Sequence, residues 1–152
     1  MRVGDTVEDF TLPDERGEPR ALTDFLAGGP VVLFFYPAAM TPGCTAESCH
    51  FRDLATEFAE LGARRVGISR DPVAKQHEFS DKHGFDFPLL SDEDGSIAAQ
   101  FGVQRRFGPL HTKRQTFVID TDRRVLDVIK SELRMSAHAD RALTALRARS
   151  TR

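Results

Sequence analysis

Two rhythms of hydrophobic and polar positions run along this chain, and the switches between them mark its elements. Val31-Val32-Leu33-Phe34-Phe35-Tyr36 is apolar at every position, as a central strand covered on both faces must be. Gly28-Gly29-Pro30 breaks the chain just before it. Upstream, residues 9–14 read as a short extended piece and Glu15-Arg16-Gly17-Glu18 as a turn. The rhythm then changes to a helical one: Phe51, Leu54, Ala55 and Phe58 recur at i, i+3, i+4 and i+7. That helix has a marked start, with Thr41 as N-cap and Pro42 at the first helical position. Residues 65–69 predict a second buried strand, and Asp71-Pro72 opens a helix reaching about His83 by the same cap-and-proline logic. Residues 87–92 are extended, and residues 96–101 form a brief helix stopped by Gly102. Two β-rich runs, 115–120 and 125–130, flank the turn Thr121-Asp122-Arg123-Arg124 as a hairpin. Residues 137–147 close the chain as a helix carrying Ala142, Leu143 and Leu146.

Strand–helix alternation followed by a hairpin and a last helix describes an α/β protein, a central mixed β-sheet flanked by helices. This order fits a thioredoxin-like fold, although order alone leaves other α/β folds open. With 152 residues and no internal repeat or long linker, the expectation is a single domain spanning 1–152. A net charge of -2 gives no bias toward nucleic acid or anionic lipid. No apolar run is long enough to span a bilayer, and Met1-Arg2-Val3-Gly4-Asp5 lacks a signal-peptide core. The expected compartment is therefore the reducing cytoplasm, where Cys44 and Cys49 act as thiols rather than as a permanent bridge.

The Thr41 cap and Pro42 start put Cys44 in the first turn of a helix that follows a central strand. Open α/β sheets bind ligands at that edge, and helix N-termini there present unpaired N–H groups to anions. A free thiol is only ~3% thiolate at pH 7, and a helix N-terminus with a neighbouring Arg enlarges that fraction. The helix end is legible here, but spacing does not single out the Arg: Arg105, Arg106, Lys113 and Arg114 all qualify.

The string Phe35-Tyr36-Pro37…Thr41-Pro42-Gly43-Cys44-Thr45…Cys49…Phe51-Arg52-Asp53 resembles the peroxiredoxins, in particular the bacterioferritin comigratory protein, or Q-type, subfamily. The similarity continues through Gly67-Ile68-Ser69, Phe87 to Asp92, Phe101-Gly102-Val103 and Thr116 to Asp120, nearly the whole chain. The resemblance implies a thiol peroxidase in which Cys44 attacks a peroxide oxygen and becomes sulfenic acid. It implies that Thr41 orients the peroxide, that Pro37 shapes the pocket and that Arg114 stabilises the thiolate and the departing oxygen. Glu47 would orient that Arg. Cys49 would resolve the sulfenic acid as an intramolecular disulfide, reduced in turn by thioredoxin or a similar dithiol protein. No cofactor or metal is implied. A monomer is expected, with a weak dimer as the alternative.

Five residues along a regular helix separate two Cα atoms by ~8.7 Å, beyond the ~6.8 Å that a disulfide spans. Resolution by Cys49 therefore requires the first turns of the helix to unwind. A zinc site on Cys44, Cys49 and His50 lacks a second ligand cluster, and a Cys–His hydrolase lacks a marked base. His77, His83, His111 and His138 are expected at the surface or at caps. A dithiol exchanger would carry Cys-x-x-Cys, whereas a peroxide sensor relaying oxidation to a partner would carry the same reactive cysteine as a peroxidase. Departures from the subfamily pattern are Met40 before the catalytic turn, the segment 107–111, and Arg123 in a hairpin turn that favours Gly.

Overall fold

The computed structural model describes residues 1–105 and 112–150, and the expectations placed on Arg106 and on the segment 107–111, His111 included, lie outside them. The apolar run becomes β3 (Val31–Phe35), the middle strand of a five-stranded mixed sheet. β4 (Arg64–Ser69) pairs parallel with β3, and β5 (Leu89–Ser91) pairs parallel with β4. On the other flank β6 (Gln115–Ile119) runs antiparallel to β3, and β7 (Val125–Lys130) antiparallel to β6. Neighbours in the sheet follow the order β5-β4-β3-β6-β7. The thioredoxin-like α/β architecture expected from the element order is the one formed.

The period-two pleat sends alternate residues of β3 to opposite faces. Val31, Leu33 and Phe35 join one apolar cluster with α1 (Leu22–Leu26) and α5 (Ser96–Gln100). Val32 and Phe34 join a second, with residues of α2 (Pro42–Asp53), α3 (Ala55–Glu60), α4 (Val73–His83) and α6 (Met135–Ser150). Phe34 and Phe51 stack with ring centroids 4.2 Å apart, fastening α2 to the sheet.

Several local features depart from the sequence reading. β1 (Thr11–Pro13) and β2 (Pro19–Ala21) form a separate antiparallel pair, and neither β2 nor the five-residue α1 is visible as a periodic pattern. The helix expected through Phe58 is interrupted at Leu54, whose φ of -98° and ψ of 22° divide α2 from α3. Thr41 stands at the N-cap of α2, but its hydroxyl donates to the Ala38 carbonyl at 2.7 Å instead of capping the helix. α4 starts one residue later than expected, with Pro72 at its N-cap, because the Asp71 carboxylate is engaged by the Ala39 N–H and the Ser69 hydroxyl. α6 starts at Met135, two residues before the expected Ala137. Arg123 adopts φ of 69° in the β6–β7 turn, the strained backbone its position suggested.

Candidate active site

Three parts of the fold converge at the C-terminal end of β3. The strand delivers the loop 36–41 and then the first turn of α2, which carries Cys44. In the antiparallel register Phe35 faces Gln115, so the residue preceding β6, Arg114, arrives beside that same helix end. α6 packs across α2 and brings its own first turn against the back of the site.

Arg114 is the joint between these parts. Its Nη2 donates to Cys44 Sγ at 3.2 Å and its Nη1 to Glu47 Oε1 at 2.7 Å. Cys44 and Glu47 are fully buried and Arg114 is 6% exposed, so the guanidinium acts with little water to screen it. Burial works against the Arg114 charge, but Glu47 and Cys44 outweigh it and hold the guanidinium firmly protonated. Glu132 accepts the Arg114 backbone N–H at 3.1 Å and takes Arg105 Nη2 at 2.7 Å, clamping the approach to β6. A Cβ on Gly43 would stand 3.3 Å from Arg114 Nη2, so the missing side chain lets the guanidinium lie over the helix end.

The loop bearing Pro37 and Thr41 is braced from below. Tyr36 donates to Gln76 Oε1 at 2.6 Å, and Gln76 Nε2 donates to Ser69 Oγ at 2.9 Å and to the Leu90 carbonyl at 2.8 Å. Ser69 donates to Asp71, whose carboxylate receives the Ala39 N–H at 2.7 Å. Burial pushes the Tyr36 hydroxyl well above its ordinary pKa, so it stays protonated as a donor. Met40 sits in this loop with φ of 69°, a conformation bulky residues adopt only where the surroundings enforce it.

The structure thus brings Cys44, Glu47 and Arg114 into direct contact and sets Thr41 and Pro37 on the adjoining loop. Cys49 is half-buried and free on the same helix as Cys44, inside regular α2. Arg105 points to Glu132, and Lys113 is exposed, which leaves Arg114 as the cation on Cys44 among the described candidates. His50 pairs with Asp140 at 2.8 Å across α2 and α6, and the described residues contain no cluster of three potential metal ligands. None of the described helices is long and apolar enough to cross a membrane. A crevice of about 530 Å³ lies between the β1–β2 turn and the end of α4 and shares no residue with this site.

One residue contradicts its expected place. His138 is fully buried, with Nδ1 2.7 Å from Thr116 Oγ1, Nε2 2.8 Å from the Ser131 carbonyl, and Nδ1 3.5 Å from Glu47 Oε2. It lies four residues before Ala142, on the buried stripe of α6, and extending that stripe one turn back would have revealed it. The roles of Asp71, Gln76, Thr116 and Glu132 at this site have no local signature, since each is acquired only through a distant partner.

A model of the AhpC/TSA family matches residues 3–128. A putative peroxiredoxin of Mycobacterium tuberculosis is 67% identical over 150 residues, 97% of each chain. Escherichia coli peroxiredoxin Bcp is 38% identical over 154 residues, covering 97% of this chain and 96% of its own. Peroxidoxin BcpB from Mycobacterium tuberculosis, a solved structure, superposes with a TM-score of 0.94 at 65% identity, with 97% of each chain covered. The Xanthomonas campestris bacterioferritin comigratory protein, studied for alkyl peroxide reduction, superposes at 0.84 with 35% identity, covering 93% of this chain and 92% of that one.

Proposed function

The chain belongs to the AhpC/TSA family as a peroxiredoxin of the bacterioferritin comigratory (Q-type) group, hence a thiol peroxidase, and we propose that Cys44 is its peroxide-reducing nucleophile. The observation that carries the assignment is the 3.2 Å contact between Arg114 Nη2 and Cys44 Sγ at the first turn of α2. The positive helix end and the guanidinium both lie at the sulfur, where negative charge is carried during attack on a peroxide.

The Cys44 thiolate attacks the terminal oxygen of hydrogen peroxide or an organic hydroperoxide. An S–O bond forms, the O–O bond breaks, and the departing oxygen takes a proton to leave as water or an alcohol. Arg114 stabilises the charge on sulfur and on that oxygen, and Glu47 aims Arg114 through their 2.7 Å hydrogen bond. Thr41 orients the peroxide, and Pro37 shapes the pocket wall. Cys49 then attacks the Cys44 sulfenic acid, expelling water and forming an intramolecular disulfide. Two electrons from thioredoxin or a similar dithiol protein restore both thiols. Residues 1–152 act as one unit, as a monomer and without cofactor or metal, in a reducing compartment such as the cytoplasm.

The test is peroxide consumption with a thioredoxin recycling system for wild type, Cys44→Ser and Cys49→Ser. Cys44→Ser should abolish turnover, whereas Cys49→Ser should allow a single oxidation and little recycling. Activity lost only at position 49 would refute the nucleophile. A wild type oxidised once and never recycled would point to a sensor.

A further inference from the structure

We propose that His138 is a positioning residue for peroxide reduction: it holds one proton in common with Glu47, so that Glu47 leaves the charge of Arg114 free to face the Cys44 thiolate. The inference rests on the peroxidase reading only in naming the reaction; the arrangement of charge stands on geometry alone.

Counting hydrogens on the buried face between α2, β6 and α6 leads to it. The Ser131 carbonyl can only accept, so the 2.8 Å contact fixes a hydrogen on His138 Nε2. That leaves Nδ1 as the nitrogen whose state can vary. Nδ1 meets the Thr116 hydroxyl at 2.7 Å and Glu47 Oε2 at 3.5 Å. With neutral imidazole and ionised Glu47, the single Thr116 hydrogen serves Nδ1, and Oε2 faces a lone pair with no donor. Glu47 Oε2 is indeed buried without a hydrogen-bond partner among the described residues, while Oε1 is taken by Arg114. One added proton, on Oε2 or on Nδ1, supplies the missing donor. Its addition neutralises the pair as a whole.

The charged groups around this pair agree with one added proton. Cys44 and Glu47 come from α2, Arg114 from the segment before β6, Glu132 from the segment after β7, and His138 and Arg141 from α6. Burial pushes Glu47 up to about 8 against the pull of Arg114, and burial pushes His138 down, helped by Arg114 and Arg141. Near neutral pH the shared proton therefore resides chiefly on the carboxyl. An ionised Glu47 2.7 Å from Arg114 would cancel much of the field that the guanidinium projects onto Cys44. A neutral Glu47 still accepts the Arg114 hydrogen bond and keeps its aim without that cancellation.

The test follows the Cys44 thiolate by the pH dependence of iodoacetamide alkylation in the Cys49→Ser background. His138→Asn puts a non-titrating donor where Nδ1 stood and favours ionised Glu47. It should lower the thiolate fraction about tenfold at a pH below the alkylation midpoint. Added to Glu47→Gln, whose side chain is always neutral, the same substitution should change that fraction by less than about threefold. A role in packing alone would produce equal losses in both backgrounds, which overturns the proposal, as would no loss in either. An infrared carboxylic-acid band at pH 7, present in wild type and missing in Glu47→Gln, is the companion expectation. Its absence from wild type overturns the proposal even if His138→Asn fails to fold. None of these readouts needs turnover. If they hold and peroxide is not consumed, it is the peroxidase reading that fails.

Discussion

Oxidising Cys44 should melt the start of α2 while leaving its far end in place. The two cysteines lie five residues apart inside the helix, a separation of ~8.7 Å between Cα atoms against the ~6.8 Å limit for a disulfide. Closing the bond must give up the Arg114 contacts with Cys44 and Glu47 and the helical bonds of the first two turns, beginning with Thr45 N–H to the Thr41 carbonyl. Four such backbone bonds at about 1 kcal/mol each set the scale of the cost at about 4 kcal/mol. The release of Glu47 from its buried site offsets part of the lost Arg114 hydrogen bond. Beyond Cys49 the cost rises steeply. Phe51 is fully buried against Phe34, and its carbonyl accepts Arg65 Nη1 at 2.8 Å. Exposing that ring would add about 3–5 kcal/mol.

Unwinding should therefore stop between Cys49 and Phe51. Hydrogen exchange followed by mass spectrometry, on reduced protein and on protein with a verified Cys44–Cys49 bond, reads this directly. A local cost of about 4 kcal/mol corresponds to protection of roughly a thousandfold, so amides of 45–48 should accelerate by about that factor on oxidation. Amides of 51–53 and of β3 should keep their protection. Cys49→Ser, which stops at the sulfenic acid, should keep α2 closed. A verified disulfide with less than tenfold change in the first turns would refute the geometric reasoning, and loss of protection through β3 would refute the anchor.

The other expectations concern the charge around Cys44. Arg114→Lys retains a cation but cannot serve Cys44 and Glu47 with two separate arms. The rate constant with hydrogen peroxide, measured by competition, should fall about ten- to hundredfold, and a loss under threefold would discount the guanidinium geometry. Gly43→Ala places a methyl 3.3 Å from Arg114 Nη2. Its rate should drop about three- to tenfold while urea unfolding shows equal stability or up to about 1 kcal/mol more, since Ala suits a helix better. Glu47 supplies a pH signature. Its folded pKa, raised to about 8 by burial from an ordinary 4.5, means the native state binds the proton more tightly than the unfolded chain. That contribution to stability is complete below the ordinary value and is lost as pH rises through the folded one. Wild type should lose on the order of 1–3 kcal/mol more than Glu47→Gln in urea unfolding between about pH 5 and 8. Parallel profiles for the two proteins would contradict it.

What could be read from the sequence, and what could not, divides along a physical line. β3, the start of α2 and the Gly102 stop are written in contiguous residues, because period, caps and proline act over a few positions. α1 is too short to show a period, and the break at Leu54 leaves the apolar stripe from Phe51 to Phe58 undisturbed, so neither has a local signature. Asp71 illustrates how a correct local rule is overridden. Its place before Pro72 reads as a cap, yet the Ala39 N–H claims its carboxylate from 32 residues away. Arg114 could be named only by resemblance, because its place beside Cys44 is set by the register that pairs Phe35 with Gln115, 80 residues on. His138 is the sharpest case. Its burial is legible one turn before Ala142 on the α6 stripe, but its partners Thr116 and Glu47 are supplied only by β6 and α2. The thiol thus announces itself through its own helix, whereas the charges that set its reactivity are assembled by strand register and helix packing. Substitutions in α6 or before β6 can consequently change Cys44 without altering any residue of the segment 35–53 that carries it.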